Sequence, residues 1–344
     1  MATTTKANLN PTLVDLIDRL GPDGKSVAPI VEVLNETNEM LDDISWVQCN
    51  NKFSHKTIVR AGLPTVTWRK LNYGVQPSKS KTKQIEDGCG MLEAYATVDK
   101  KLAELNGMRA SWRVSENSAF IEAMNQEFQR ALLFGDSTTE NEKIMGLAPR
   151  FSTINKTKAA NAVNVIDAGG TGDNLTSIWL ICWGPNTVHC IYPEGSTAGL
   201  KEEDLGEQTE RDEDGGKYQS LNTHYEWDVG LTVRDWRYVV RIANIDMTKL
   251  TKDPDGKEAA EPGTGGPDLI DLMTDAIEKL PNERAGRLAF YCNRRISSYL
   301  RKQRRYAKNV NITQEEVAGR KVTAFDGIPV RRVDALTASE KQVK

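Results

Sequence analysis

Cys182, His189, Cys190 and His224 are the side chains best suited to hold a metal ion, in a chain with only three histidines, at 55, 189 and 224. Zinc needs four ligands converging on a tetrahedron, usually delivered by tight paired spacings. Here Cys182 and Cys190 lie eight residues apart in a strand-turn-strand context. The adjacent His189 and Cys190 point to opposite faces of an extended strand. Buried small hydrophobes and a surface imidazole are the simpler reading. No HExxH, GxSxG or P-loop pattern occurs. Gly169-Gly170-Thr171-Gly172 lacks the flanking strand, helix and spacing of a dinucleotide fingerprint and reads as a loop. Asp228 and Asp235 read as solvated positions on amphipathic strands rather than as an acid–base pair. The stretch from Asn293 to Lys308 carries Arg294, Arg295, Arg301, Lys302, Arg304, Arg305 and Lys308 and no acid. It has the charge to meet phosphate. The favoured reading is a surface helix facing an acidic segment of the same or the next subunit.

Behind these residues stand the elements that must position them. Pro11 and the spacing of Leu13, Leu16, Ile17 and Leu20 predict a short helix that Gly21 stops. A second apolar stripe runs through Ile30, Val31, Leu34 and Leu41. Both are too short to stand alone and must dock elsewhere. Residues 54–100 predict a long hairpin, with Val66 and Trp68 alternating in its first strand and a second strand from Ile85 through Tyr95. Its polar tip carries Lys79, Lys81 and Lys83. Such a hairpin is marginal alone in water, so a neighbouring subunit is its natural support. Residues 115–134 predict a helix capped by Ser115, with Ile121, Met124, Phe128 and Leu132 on one face and Gly135 beyond its end.

Two β-rich blocks follow, at 177–192 and 225–245, the second with Trp236, Tyr238, Val240 and Ile242 on one face. Between them, residues 201–217 hold eight acids against three bases, which suits a solvated loop. A helix from Leu269 to Leu280, a short strand from Leu288 to Cys292 and a turn at Asp326-Gly327 into an edge strand complete the reading.

Composition narrows the class without naming the task. The 344 residues carry 45 basic and 48 acidic side chains, a net charge of -3. That near-neutrality argues against a dedicated nucleic-acid binder. With 39% apolar residues a packed core is within reach. No run approaches a membrane span, and no export signal is visible. Five cysteines, an odd number without a CxxC pair, point to reduced thiols in a cytosol.

The order and wording of the motifs resemble a known family. An arm, a long hairpin, a long helix and Leu133-Phe134-Gly135-Asp136 leading to Gly146-Leu147 resemble major capsid proteins of tailed bacteriophages with the Hong Kong 97-like fold. Trp68-Arg69-Lys70-Leu71 through Gly74-Val75-Gln76-Pro77-Ser78-Lys79 is similar to coat proteins of the short-tailed group related to epsilon-fifteen and a Bordetella phage. So are Trp183 to His189 and Val233 to Ile242. The resemblance implies an α+β chain: an N-terminal arm (1–53), an E-loop hairpin (54–100), a peripheral domain with its spine helix (101–250) and an axial-domain segment (251–344). Phe290-Tyr291-Cys292-Asn293 and Gly327-Ile328-Pro329-Val330 match central-domain elements that normally precede the returning peripheral strands. Here they follow them, so permuted connectivity is expected.

The implied function is a self-assembling shell of pentamers and hexamers around the phage genome, without catalysis or cofactor. Trp68, Tyr73, Gln76, Lys79, Lys81, Lys83, Arg301, Arg304 and Arg305 are the expected inter-subunit contacts. Expected partners are further copies, a separate scaffolding protein (no long helical extension precedes the arm), a portal, a cement protein, and packaged double-stranded DNA bound without sequence specificity. The chain would be made in the host cytoplasm and end in the virion capsid. Two other classes remain open on the residues alone: a metal-dependent enzyme, and a nucleic-acid-binding module using 294–308.

Overall fold

A computed structural model describes residues 39–104, 109–212, 214–250, 267–303, 312–317 and 320–344. The helices expected between residues 11 and 41 lie outside them, except that residues 39–43 form a turn. In chain order the strands are β1 (Trp46–Gln48), β2 (Ser54–Gly62), β3 (Lys81–Asp99), β4 (Val165–Asp167), β5 (Leu175–Trp183), β6 (Val188–Tyr192), β7 (Lys201–Arg211), β8 (Lys217–Val233), β9 (Val239–Asp246), β10 (Arg287–Cys292), β11 (Ile312–Val317), β12 (Arg320–Phe325) and β13 (Ile328–Arg332). The principal helices are α1 (Arg109–Phe134), α2 (Leu269–Glu278) and α3 (Arg294–Gln303). The contacts divide the described chain into two units. One gathers Met91–Gln129 and Gly199–Asp228, and the other holds the rest.

The larger unit is organised by β5, Leu-Thr-Ser-Ile-Trp-Leu-Ile-Cys-Trp, in which every residue is buried. It pairs antiparallel with β9 on one side and β10 on the other. Ile178 and Leu180 face a core built with Val240, Ile242, Phe290, Phe325 and Val330, closed by Leu269 and Met273 of α2 and Ile296 and Leu300 of α3. Asp268 caps α2 by accepting from the Ile270 and Asp271 N–H groups. Asn293 does the same for α3 through Ile296 N, at 2.9 Å.

On the alternate face of the same strand, Trp183 donates its indole N–H to Tyr291 Oη (2.8 Å), and Tyr291 donates to Asp43 (3.0 Å). Arg331 holds that carboxylate with two hydrogen bonds of 3.1 Å. Burial pushes the Tyr291 hydroxyl well above its ordinary range, so it remains a donor. Residues 39–48 are thereby fastened to β10 and β13.

In the smaller unit α1 lies against the β7–β8 hairpin. Phe128 stacks near Trp227 with ring centroids 4.5 Å apart. Arg113 grips Asp204 with two hydrogen bonds, of 2.6 and 2.9 Å, and Lys100 meets Glu207 at 2.8 Å.

Several expectations change here. The acidic stretch is not a loop. Lys201–Arg211 is a strand, because β8 supplies a full antiparallel partner for its backbone while its acids stay in water or pair with Lys100 and Arg113. Beyond it Asp212 accepts from Asp214 N and Gly216 N, ahead of β8. Ser115 does not cap α1, which already begins at Arg109. Ile121 is 40% exposed, leaving Met124, Phe128 and Leu132 as the buried line. Trp236 and Tyr238 leave the strand for a 3-10 turn that Asp235 caps, because Asp235 also grips the Arg237 guanidinium at 2.7 Å. Asp235 is therefore a local cap, whereas Asp228 sits beside Glu226 and burial raises its carboxyl. Strand β13 is not an edge: it pairs with β12 and, in parallel, with β10. Pro329 is tolerated because pairing with β10 begins one residue later, at Val330.

The Gly-Asp…Gly-Leu wording has a steric cause. Gly146 N donates to Gly135 O (2.8 Å), and Gly135 N to Ala131 O (2.8 Å). A Cβ on Gly135 would stand 2.5 Å from both Ala131 O and Ile144 O, and one on Gly146 2.6 Å from Ala131 O. We expect Gly135→Ala to lower the melting temperature, at a cost of about 1–3 kcal/mol of overpacking. Gly74→Ala, with nothing within 4 Å, should leave it unchanged in the same calorimetric scan.

Candidate assembly surfaces

The hairpin is firm at its base and uncovered at its tip. Strands β2 and β3 pair in register from Ser54↔Gly88 to Arg60↔Thr82, then through a bulge to Gly62↔Lys81. Glu86 accepts from Ser54 Oγ at 2.6 Å, and that bond is the main reason its carboxyl titrates low. Asp87 is buried and meets Arg150 at 2.8 Å, which also donates to Leu231 O. Asn50 exchanges two 2.8 Å hydrogen bonds with the Lys56 backbone. Gly230 lets β8 approach β3 so closely that a Cβ there would be 2.6 Å from Gly88 O.

Beyond Gly62 the regular ladder stops. Residues 63–80 form neither helix nor strand, and all are exposed. The alternation of Val66 and Trp68 therefore does not mark a strand: Pro64 and Pro77 remove donors, and no partner backbone among the described residues pairs with them. The lobe folds on itself locally through Ser78 Oγ donating to Thr65 O, at 2.7 Å. Nor is it polar throughout. Leu63, Val66, Trp68, Leu71 and Tyr73 are all at least 70% exposed, and Trp68 fully so. Gln76 and Lys79 share this lobe, whereas Lys81 and Lys83 belong to paired strand β3, opposite Gly62 and Val59.

The basic segment is a surface helix over its described length. Ile296 and Leu300 of α3 face the core, while Arg294, Arg295, Arg301 and Lys302 are exposed. Arg294 pairs with Asp334 at 2.6 Å, and Arg301 donates to Thr323 Oγ1 at 3.3 Å. Arg304 and Arg305 lie outside the described residues.

The imagined metal set does not assemble. Among the described residues no three His, Cys, Asp or Glu side chains come together as ligands. Burial pushes the Cys182 and Cys190 thiols up, which keeps them protonated. His224 instead stacks on Tyr95, with centroids 4.4 Å apart, and lies 3.4 Å from Glu93. His189 is fully buried and edge-on to His55, with centroids 5.5 Å apart. Burial chiefly, then His55 and Arg234, hold it down to about 4.

One buried constellation had gone unread in the sequence. Arg241 of β9 donates to Phe151 O (2.9 Å), to Ser177 Oγ (3.2 Å) and to Glu340 (2.9 Å), with its guanidinium 5.0 Å above the Trp179 ring. Glu340 also accepts from Ser177 N at 3.0 Å and from the Ser177 hydroxyl. An arginine inside an otherwise apolar strand, Val-Val-Arg-Ile-Ala, was the signal that a buried anion had to come from elsewhere. A cavity of about 550 Å³ borders this pair beside Arg130, Phe134 and Ser152. Its lining holds no cysteine or histidine.

Two predictions follow from these burials. Glu340→Ala strands the Arg241 charge, and we expect a loss of about 3–5 kcal/mol in denaturant unfolding. His189 binds its proton more weakly folded than unfolded. Stability should therefore be full above the ordinary histidine range near pH 6.5 and fall as pH drops towards 4, by on the order of 3 kcal/mol. His189→Gln should flatten that limb of a pH series of thermal scans.

A family model described as major capsid protein GP7 matches residues 21–344. A chain from the cryo-EM structure of bacteriophage Epsilon15 is 34% identical, with 97% of each chain covered and a TM-score of 0.77. The bacteriophage JBD30 capsid is 10% identical, covering 89% of this chain and 93% of its own, at a TM-score of 0.45. The encapsulin complex of Synechococcus elongatus is 10% identical, covering 66% and 95%, also at 0.45. No curated protein matches. Among the described residues no helix is long and apolar enough to cross a membrane. Matched by that family model over nearly its whole length, the chain belongs to the major capsid protein GP7 family.

Proposed function

We propose that the chain closes an icosahedral shell as pentamers and hexamers, and that each copy lays the lobe at residues 63–80 on a neighbour. Family membership makes it a self-associating structural component of the phage capsid. The lobe is the observation that carries the finer reading. Side chains such as Trp68 and Leu71 lie in water in the single chain, and apolar patches of this kind mark interaction sites. Trp68 and Tyr73 are the residue types that anchor interfaces, with Gln76, Lys79, Lys81 and Lys83 forming a polar rim. Arg301, with Arg304 and Arg305 beside it in sequence, is proposed as a second contact. The functional division into arm (1–53), hairpin (54–100), peripheral part (101–250) and axial segment (251–344) belongs to the same reading.

Closed symmetry turns many modest contacts into a stable particle. A net charge of -3 lets copies crowd without strong repulsion and suits DNA enclosed without tight adhesion. A separate scaffolding protein, a portal and a cement protein complete the proposed set of partners. No observation favours a catalytic role.

Replacing 64–79 by a two-residue turn keeps the Gly62↔Lys81 register. We expect a folded subunit with unchanged circular dichroism and no closed shells by negative-stain microscopy when expressed with its neighbouring genes. Normal shells from that variant would refute the hairpin role. Trp68→Ala should lower shell yield without lowering the subunit's melting temperature.

A further inference from the structure

Two cysteines meet at the base of the hairpin. Cys49 follows β1 directly, and its N–H donates to Tyr192 O at 2.8 Å. Cys89 lies on β3 between Gly88 and Gly90, with its N–H on Phe53 O at 2.9 Å. These backbone bonds hold the two Sγ atoms 3.4 Å apart, in contact but unbonded. Cys49 is 5% exposed, whereas Cys89 is partly open to solvent. Burial raises the Cys49 thiol and its contact with Cys89 opposes that. Cys89 is flanked by glycines, and a Cβ on Gly88 would meet nothing within 4 Å, so no side chain of a neighbouring position on β3 stands between the two sulfurs.

We propose that Cys49 and Cys89 form an oxidative crosslinking site that locks the hairpin base once the capsid leaves the reducing cytosol. Virion surfaces are among the settings where disulfides form and persist. The oxidant is a small-molecule disulfide. The Cys89 thiolate, the accessible one, attacks one of its sulfurs, forms a mixed disulfide and releases one small thiolate. The Cys49 thiolate then attacks the Cys89 sulfur, forms the protein disulfide and releases the second. Two small thiols take up the two protons the protein loses: the protein is oxidised by two electrons and the reagent reduced by two. The new bond closes a segment spanning 40 positions that contains the whole exposed lobe, so the hairpin can no longer peel from its base.

The test uses the full chain and its shells, treated with oxidised glutathione at mildly alkaline pH. Two of the five thiols should disappear on titration, with the intact mass lower by two hydrogens. A non-reduced digest should join the Cys49 and Cys89 peptides, and the melting temperature should rise and return to its starting value with dithiothreitol. Cys89→Ser should abolish the crosslink and Cys182→Ser should keep it. Retention of all five thiols, a glutathione adduct that stops on Cys89, or a bond between different chains would each overturn the proposal. The peptide map is read on the unaltered protein, so the result does not depend on whether a variant folds.

Discussion

Strand β5 has no exposed residue, and that demand for cover on both faces arranges the larger unit. One face takes α2 and α3 through Ile178 and Leu180. Along its edges, β9 and β10 meet its backbone, and β9 brings Arg241 into the same dry interior. A charge there has one tolerable solution: an anion and enough acceptors to occupy its donors. Glu340, Ser177 and Phe151 O supply them, which fixes the chain segment around residue 340 onto β5. Asn244 adds to that attachment by exchanging hydrogen bonds with the Val343 backbone, from a left-handed conformation that asparagine tolerates.

The hairpin obeys the opposite rule. Its base is tied down internally, by Arg150 on Asp87 and Asn50 on Lys56, while its lobe has no cover among the described residues. A fold that invests in a rigid root and leaves an apolar end in water defers part of its burial to association. That separation suits a capsid subunit, which must be soluble before assembly and committed after it.

Local periodicity made much of this legible. The spacing of Met124, Phe128 and Leu132 marked α1, and the apolar run from Ile178 to Trp183 marked a β-rich block. Gly135 marked the end of the helix, although only coordinates show that carbonyls occupy the space a Cβ would need there and at Gly146. The failures share a cause: they depended on partners distant in sequence. Lys201–Arg211 looks like a loop until β8 is beside it, and Val66 to Trp68 looks like a strand until it is found without a partner. Trp236 and Tyr238 fit an alternating pattern that the local Asp235–Arg237 grip interrupts. The buried Arg241–Glu340 pair joins residues 99 positions apart, beyond the reach of any pattern read over a few turns.

That separation also imposes an order on biosynthesis. When Arg241 leaves the ribosome, 99 further residues must be made before its counter-ion exists. Until then the Arg241 guanidinium has only neutral acceptors, Phe151 O and Ser177 Oγ, for its donors. The β5–β9 layer therefore gains its buried counter-ion only on chains translated through residue 340.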